Sequence, residues 1–495
     1  MSAETMSPEL APAAAAPIDQ STAARNRLVI ALLLISTFVV FLNETIMSVA
    51  IPHLMADLGV TASAAQWLTT AFLLTMAVVI PITGFLLQRI NTRPIYILAM
   101  SIFSVGTAIC AMSPGIGLLI FGRVIQATGT AIMMPLLMTT VMQLVPPEGR
   151  GKTMGNISIV MSVAPAIGPT IAGLILTYLE WRWMFILVLP IAIGALALGA
   201  KLMQNVSTPR YAPLDVISVI LSALAFGGIV YGLSALGEGA GHEQAIPVWA
   251  PLAIGLVAMA IFVWRQLTLQ KHDRALLDLR TFGYANYTFS VVTMAIAMMA
   301  LFGMIILLPI YLQSVLRIDT LQTGLLLLPG SLLMGLLGPI IGRLYDKVGT
   351  RPLLVPGTVL VSIVLWGLTL VGTDTSVWLI LAGHMVMCLG LALTFTPLFT
   401  ASLSSLPMPL YSHGSAILGS VQQVAGAAGV ALFVAIMTLQ SAALMADGTA
   451  QVEALAAGIR SGFLCGAVIS LFAIVAGFFV KKPPANPDMQ GFAGH

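Results

Sequence analysis

Phe41-Leu-Asn43-Glu44-Thr-Ile-Met47-Ser48-Val-Ala-Ile-Pro52 sets a carboxylate inside a long apolar run. The chain has 18 acidic residues, and Glu44 alone has more than a dozen apolar residues before it and a further turn and a half of mostly apolar residues after it. The other seventeen fall in tails, loops or segment ends. An acid at the centre of a membrane helix costs about 2.5–3.5 kcal/mol. Two readings stand for one that is kept: a functional acid, or an acid satisfied in a packed core. If Leu28 opens the span, Glu44 lies sixteen residues in, about 24 Å along the helix, in the outer half of a hydrocarbon layer about 30 Å thick. Met47 and Ser48 share its face at i+3 and i+4.

The surrounding chain is built for lipid. Of 495 residues, 59% are hydrophobic and 8% charged, against about 25% charged in a soluble domain. Apolar runs long enough to cross a bilayer recur near 28–51, 66–87, 94–112, 116–143, 153–178, 183–203, 214–236, 248–268, 287–312, 322–342, 353–372, 376–404, 414–440 and 460–480. That predicts an all-α protein of fourteen spans. Residues 1–27 form a polar N-terminal tail, expected to be disordered, and 481–495 a C-terminal one. The three cysteines lie in apolar segments, which argues against a disulfide framework. No metal or haem motif, phosphate-binding glycine loop or GxSxG sequence is present, so neither an enzyme nor a cofactor is expected. The net charge of +3 resides in membrane-flanking loops and does not imply nucleic acid.

Those loops set the orientation. With the N-terminus inside, seventeen of the 21 basic residues are cytoplasmic; Arg182, Arg317 and Arg460 are external, and Arg123 is alone within a span. Both termini are therefore expected in the cytoplasm. Trp67, Trp181, Trp183, Trp249 and Trp378 cluster at the predicted outer ends, as an interfacial belt does.

The chain also repeats itself. Gly84-FLLQ-Arg89-INT-Arg93-Pro94 and Gly342-RLYD-Lys347-VGT-Arg351-Pro352 match at Gly, the basic residue at +5, Arg at +9 and Pro at +10, separated by eight spans. A six-helix unit (28–203), two further spans with linkers (204–286) and a second six-helix unit (287–480) give that spacing.

With these residues in view, the chain resembles the major facilitator superfamily, in its fourteen-span drug:proton antiporter branch. Gly342–Pro352, with Asp346, Lys347, Gly349 and Arg351, matches the superfamily loop signature G-x-x-x-D-[RK]-x-G-x-[RK]. Arg123-VI-Gln126-AT-Gly129 is similar to the fourth-helix pattern R-x-x-Q-G-x-G, with Ala127 for Gly. Pro165-AI-Gly168-Pro169-TIA-Gly173 resembles the fifth-helix antiporter motif. Phe41–Pro52 resembles the first-helix motif L-D-x-T-x-x-N-x-A-L-P, but with Asn43 in place of the acid and Glu44 one position on; Gln88 replaces the first loop's Asp.

The resemblance implies two pseudo-symmetric bundles around a central cavity and export of amphipathic or cationic compounds in exchange for protons. Glu44 and Arg123 would carry coupling. For Arg123 the alternative is a structural arginine bonded to backbone carbonyls. Asn43, Met47, Gln66, Thr70, Gln126, Asn156, Tyr311, Gln313, Gln422 and Gln423 are candidate substrate contacts, with Gln423 first among them. Arg89, Arg93, Asp346, Lys347 and Arg351 would form the cytoplasmic latch, or serve only to hold their loops inside. Gly168, Pro169 and Gly173, with Ala164 and Ala172, would seal the interface of the two halves or simply pack tightly. His384 is a buried filler or a proton relay. The expected partners are small amphipathic molecules, protons and a bacterial cytoplasmic membrane, for a monomer. A specialised exporter of one metabolite, siderophore or lipid shares the fold, and a non-transporting membrane sensor is a further reading.

Overall fold

The computed structural model describes residues 20–60, 62–207, 209, 215–237, 247 and 249–483. The side chains of Ser48, Gln66 and Pro169 lie outside the described residues, as do most of the two predicted tails and parts of the linkers flanking the two central spans. Fourteen long helices follow in order: α1 Gln20–Leu58, α2 Ala62–Arg89, α3 Thr92–Ala111, α4 Ile116–Leu144, α5 Arg150–Tyr178, α6 Trp183–Leu202, α7 Val216–Gly237, α8 Trp249–Leu269, α9 Ala285–Ile310, α10 Thr320–Val348, α11 Arg351–Leu368, α12 Val377–Ser404, α13 Tyr411–Ala446 and α14 Gln451–Phe479. All are long and apolar enough to span a membrane, and no strand occurs among the described residues. In lipid a helix is the one open segment that bonds all of its own backbone. Several helices outrun their apolar cores: α1 continues to Leu58, and α14 begins at Gln451. Ile191, Ile220, Leu256 and Phe472 are exposed on the outside of the bundle, a surface only lipid covers favourably. Trp67, Trp183, Trp249 and Trp378 are exposed as an interfacial belt requires, but Trp181 is buried, edge-on to Phe185 and stacked under Arg182.

The first six helices pack together through α3–α4, α2–α4, α1–α5 and α3–α6, and the last six through α9–α13, α11–α12, α13–α14 and α10–α12. The inserted hairpin α7–α8 closes where Gly228 meets Gly255 and Gly232 meets Leu252 backbone to backbone, and α7 lies against both α2 and α13. Its base is tied by Arg265, whose guanidinium donates to both Asp215 oxygens at 2.7 and 2.8 Å. Those bonds hold the Asp215 carboxyl down at about 2.

Two seams join the bundles, α5 on α10 and α2 on α13. Call proximal the end at which α1 begins and α14 ends. Here Gly151 and Gly155 of α5 face Gly342 and Gly338 of α10 so closely that a Cβ on any of them would enter the partner's backbone. The Asp346 carboxylate accepts the N–H groups of Gly151 (2.8 Å) and Lys152 (2.9 Å) at the start of α5, where the helix dipole favours an anion. Lys482 donates to the Asp346 carbonyl. The pseudo-symmetric contact is weaker: Gln88 donates one neutral hydrogen bond to Pro409 O at 3.1 Å. Arg150, which the motifs did not single out, crosses between the bundles to Ser404 Oγ and Tyr411 OH. Deeper in, Thr139 bonds Ser415 and Ser158 bonds Thr396. Inserting volume into such a seam costs about 1–3 kcal/mol. Gly155→Ala is therefore expected to lower the melting temperature and to raise maleimide labelling of a cysteine placed at Ser158; unchanged labelling would show that the seam tolerates the methyl.

Candidate functional site: a buried arginine network

Arg123 starts two turns into α4 and is 1% exposed. Its Nη1 donates to Gln126 Oε1 at 2.7 Å and to Asn43 Oδ1 at 3.2 Å. Gln126 passes the chain on, donating from Nε2 to Thr107 Oγ1 at 2.8 Å, and Thr107 donates to Phe103 O. The guanidinium lies 4.0 Å from the centre of the Phe72 ring, a contact worth about 2 kcal/mol when desolvated. Four helices thus converge on one cation. The sequence permits this through small residues. At Gly106 a Cβ would sit 2.5 Å from Gln126 N, and at Gly129 2.7 Å from Phe103 N, so α3 and α4 approach closely enough for Thr107 to reach Gln126. Both oxygen partners of Arg123 are neutral, and its Nε keeps no partner.

The neighbouring acid stands apart. Asn43, where the first-helix motif has its acid, is buried and faces Arg123. Glu44 is about 100° further round α1; no ion pair within 4.0 Å links it to Arg123, and its buried Oε2 has no hydrogen-bond partner. Thr45 donates to Leu42 O and to Ala164 O of α5. A Cβ at Gly168 would collide with the Thr45 side chain. The small-residue stripe of α5 therefore seats α1 beside Glu44 within one bundle, whereas the sequence reading placed it between the two halves; the inter-bundle glycines are Gly151 and Gly155. A Cβ at Gly173 would meet nothing within 4 Å.

The remaining candidates scatter. Met47 is buried in α1; Thr70, Asn156, Gln422 and Gln423 are half-buried on α2, α5 and α13. Tyr311 is fully buried and donates to Gly372 O at 2.6 Å, which makes it a tie at the end of α9; Gln313 follows in the same π turn. Arg89 lies over Phe85, Arg93 donates to Ala200 O of α6, and Arg351 lies over Phe478 of α14, each inside its own bundle; Lys347 is exposed. The Asp346 carboxylate crosses between the bundles to the start of α5. His384 packs on Gly330 and lies 3.7 Å from Cys388 Sγ, with Nδ1 unpartnered. Sequence reasoning missed Phe72 and Thr107, and also Thr37 and Thr69, whose buried hydroxyls on α1 and α2 lack partners. Thr69 lies three residues before Phe72 and Thr37 seven before Glu44, so helical spacing from those residues is the signal that would have found them.

The sequence profile of the Major Facilitator Superfamily matches residues 33–430. The chain belongs to the major facilitator superfamily. A lincomycin resistance protein, LmrB, of Listeria monocytogenes is 39% identical over 459 residues, 92% of this chain and 96% of that protein. The LmrB of Bacillus subtilis is 37% identical, covering 91% and 95%. A multidrug resistance protein B homolog of Mycobacterium tuberculosis is 29% identical over 80% of this chain and 74% of that protein. Among solved structures, the proton:xylose symporter XylE superposes with a TM-score of 0.60 at 15% identity, over 94% of this chain and 98% of that one. The human organic anion transporter MFSD10 gives 0.61 at 15%, over 91% and 99%. This superfamily member is a multi-pass membrane transporter with two six-helix bundles and two inserted helices, not an enzyme.

Removing the cation strands Asn43 and Gln126, and a hydrogen bond to a charged group is worth about 1.5–3 kcal/mol. Arg123→Ala is expected to abolish transport while the protein still reaches the membrane, as judged by immunoblotting of membrane fractions beside substrate efflux. Disappearance from the membrane would make Arg123 structural.

Proposed function

We propose that this transporter exports amphipathic, cationic compounds in exchange for protons, with Glu44 as the coupling carboxylate and Arg123 as its fixed counter-charge. The observation that carries the reading is the division of labour on α1: Asn43 satisfies Arg123 as a neutral partner, while Glu44 keeps a buried oxygen unbonded. A carboxylate already paired to arginine would have to break that pair to accept a proton or a cation. Glu44 can do either directly. Two buried ligands of like charge compete at one acid, which is the elementary requirement of exchange: the proton arriving from outside releases the cationic substrate, and the substrate arriving from inside releases the proton. Half-buried Gln422 and Gln423, with Thr70 and Asn156, supply neutral polar contacts for the rest of the molecule.

The excess of basic residues on the proximal loops supports placing that end and both termini in the cytoplasm of a bacterium, in its inner membrane, and the chain works as a monomer. The two bundles rock about their seams, with the Asp346 contact to α5 breaking as the proximal end opens. No nucleotide-binding motif is present, so an ion gradient is the energy source. Lincomycin, an amphipathic molecule with a basic amine, is the first substrate to try, because the relatives at 37–39% identity are named for resistance to it. The same names favour a narrow substrate range as the second reading.

The test is proton-driven uptake of lincomycin and of a panel of lipophilic cations into inverted membrane vesicles. Wild type is expected to accumulate at least one of them and to lose it when the gradient is collapsed; Glu44→Gln is expected to remain at background. Gradient-driven uptake at the normal rate in Glu44→Gln would remove the acid from the coupling step.

A further inference from the structure

α3 and α6 take no part in either seam between the bundles. The first turns of α3 and Asn205, just past the end of α6, line an open surface groove of about 590 Å³ formed by Arg93, Pro94, Ile97, Leu98, Ser101 and Asn205. The backbone N–H groups of Thr92 and Arg93 are already spent on Ser207 Oγ and Asn205 Oδ1, so the helix start offers no free donor there. The Arg93 side chain does. One N–H of its Nη2 is fixed at 2.6 Å from Ala200 O, which holds the guanidinium at the rim and leaves the rest of its five donors unspent. Lys201, next to Ala200, is exposed, and among the described residues no acidic one lines the groove.

The rest of the groove is apolar, through Ile97 and Leu98. Leu198 and Leu202 are exposed on α6, the helix packed beside α3, and Ser101 lies about 12 Å below Arg93 along α3. The groove therefore runs along the outside of α3 from a cationic end at the interface towards the hydrocarbon layer. A soluble anion would neutralise the rim and leave the apolar wall bare, whereas a phospholipid satisfies both. We propose that this groove is a binding site for an anionic phospholipid, its phosphate on Arg93 and Asn205 and an acyl chain along Ile97 and Leu98. The bound lipid would brace the start of α3, and through the short turn before it the end of α2 that carries Gln88. The inference is independent of the coupling mechanism.

Native mass spectrometry of the full chain, delipidated in detergent and then given phosphatidylglycerol, phosphatidylethanolamine or inorganic phosphate, tests it. Wild type is expected to retain phosphatidylglycerol in preference to phosphatidylethanolamine. Arg93→Gln should weaken that retention about fivefold, the effect of one interfacial cation. Ile97→Trp, which projects a larger side chain into the groove and keeps the charge, should weaken it as well, and decides alone should Arg93→Gln fail to reach the membrane. Equal retention by wild type and the tested variants would overturn the site, equal retention of the two lipids would overturn its anionic preference, and displacement of phosphatidylglycerol by inorganic phosphate would overturn the assignment to lipid.

Discussion

A guanidinium cannot be left bare in a membrane, and much of the first bundle is arranged around that constraint. Arg123 has no carboxylate within ion-pair distance; its Nη1 donates to Asn43 and Gln126 and the guanidinium lies on the face of Phe72, while Nε keeps no partner. Each partner comes from a position that a neighbouring helix must hold: α1 for Asn43, α2 for Phe72, and α3 through Thr107 for the orientation of Gln126. The glycines of α3 and α4 allow the approach, and the small residues of α5 seat α1 so that Asn43 and Glu44 stand where they do. The arginine's hydrogen bonds thus go to neutral groups, and none of them goes to the acid beside it.

The seams show a similar economy. Two backbones approach within contact distance only where neither carries a side chain, and α5 and α10 put their glycines there in register. Of the two repeat-related contacts, the charged one falls on one side only. Asp346 caps the start of α5 with two charge-assisted bonds, whereas the repeat-related Gln88 makes one neutral bond to Pro409. Opening of the proximal end thus faces unequal resistance at its two seams. The inserted hairpin adds a third contact, since α7 touches α2 and α13 together, the two helices that form the weaker seam.

Much of the fold is legible in the residues. Hydropathy fixes fourteen spans because lipid leaves the backbone few alternatives, and the Gly84–Pro94 and Gly342–Pro352 repeat locates the two bundles because both must turn tightly at the same interface. Asp346 is legible as an interface residue for the same reason, and its carboxylate reaches the start of α5. Side-chain partners are less so. The stripe Ala164–Gly168–Ala172 announces a close helix contact, but spacing alone does not say whether the partner is α1 or α10. Trp181 has the position of a belt residue and the burial of a core one, since its partners Phe185 and Arg182 are set by the α5–α6 turn. Phe72 is one apolar residue among many in α2, and nothing marks it as the bed of a cation. Asn43 and Glu44 were legible as a displaced acid; that the vacated position still faces the arginine required three dimensions.

The decisive quantity is the proton itself. Purified protein in detergent and weak buffer should release protons when a transported cation is added, and Glu44→Gln should release none while still binding the cation weakly. Release of the same number of protons by Glu44→Gln would place the exchangeable proton elsewhere, with His384 the next buried group to test, and the separation of roles between Asn43 and Glu44 would lose its meaning.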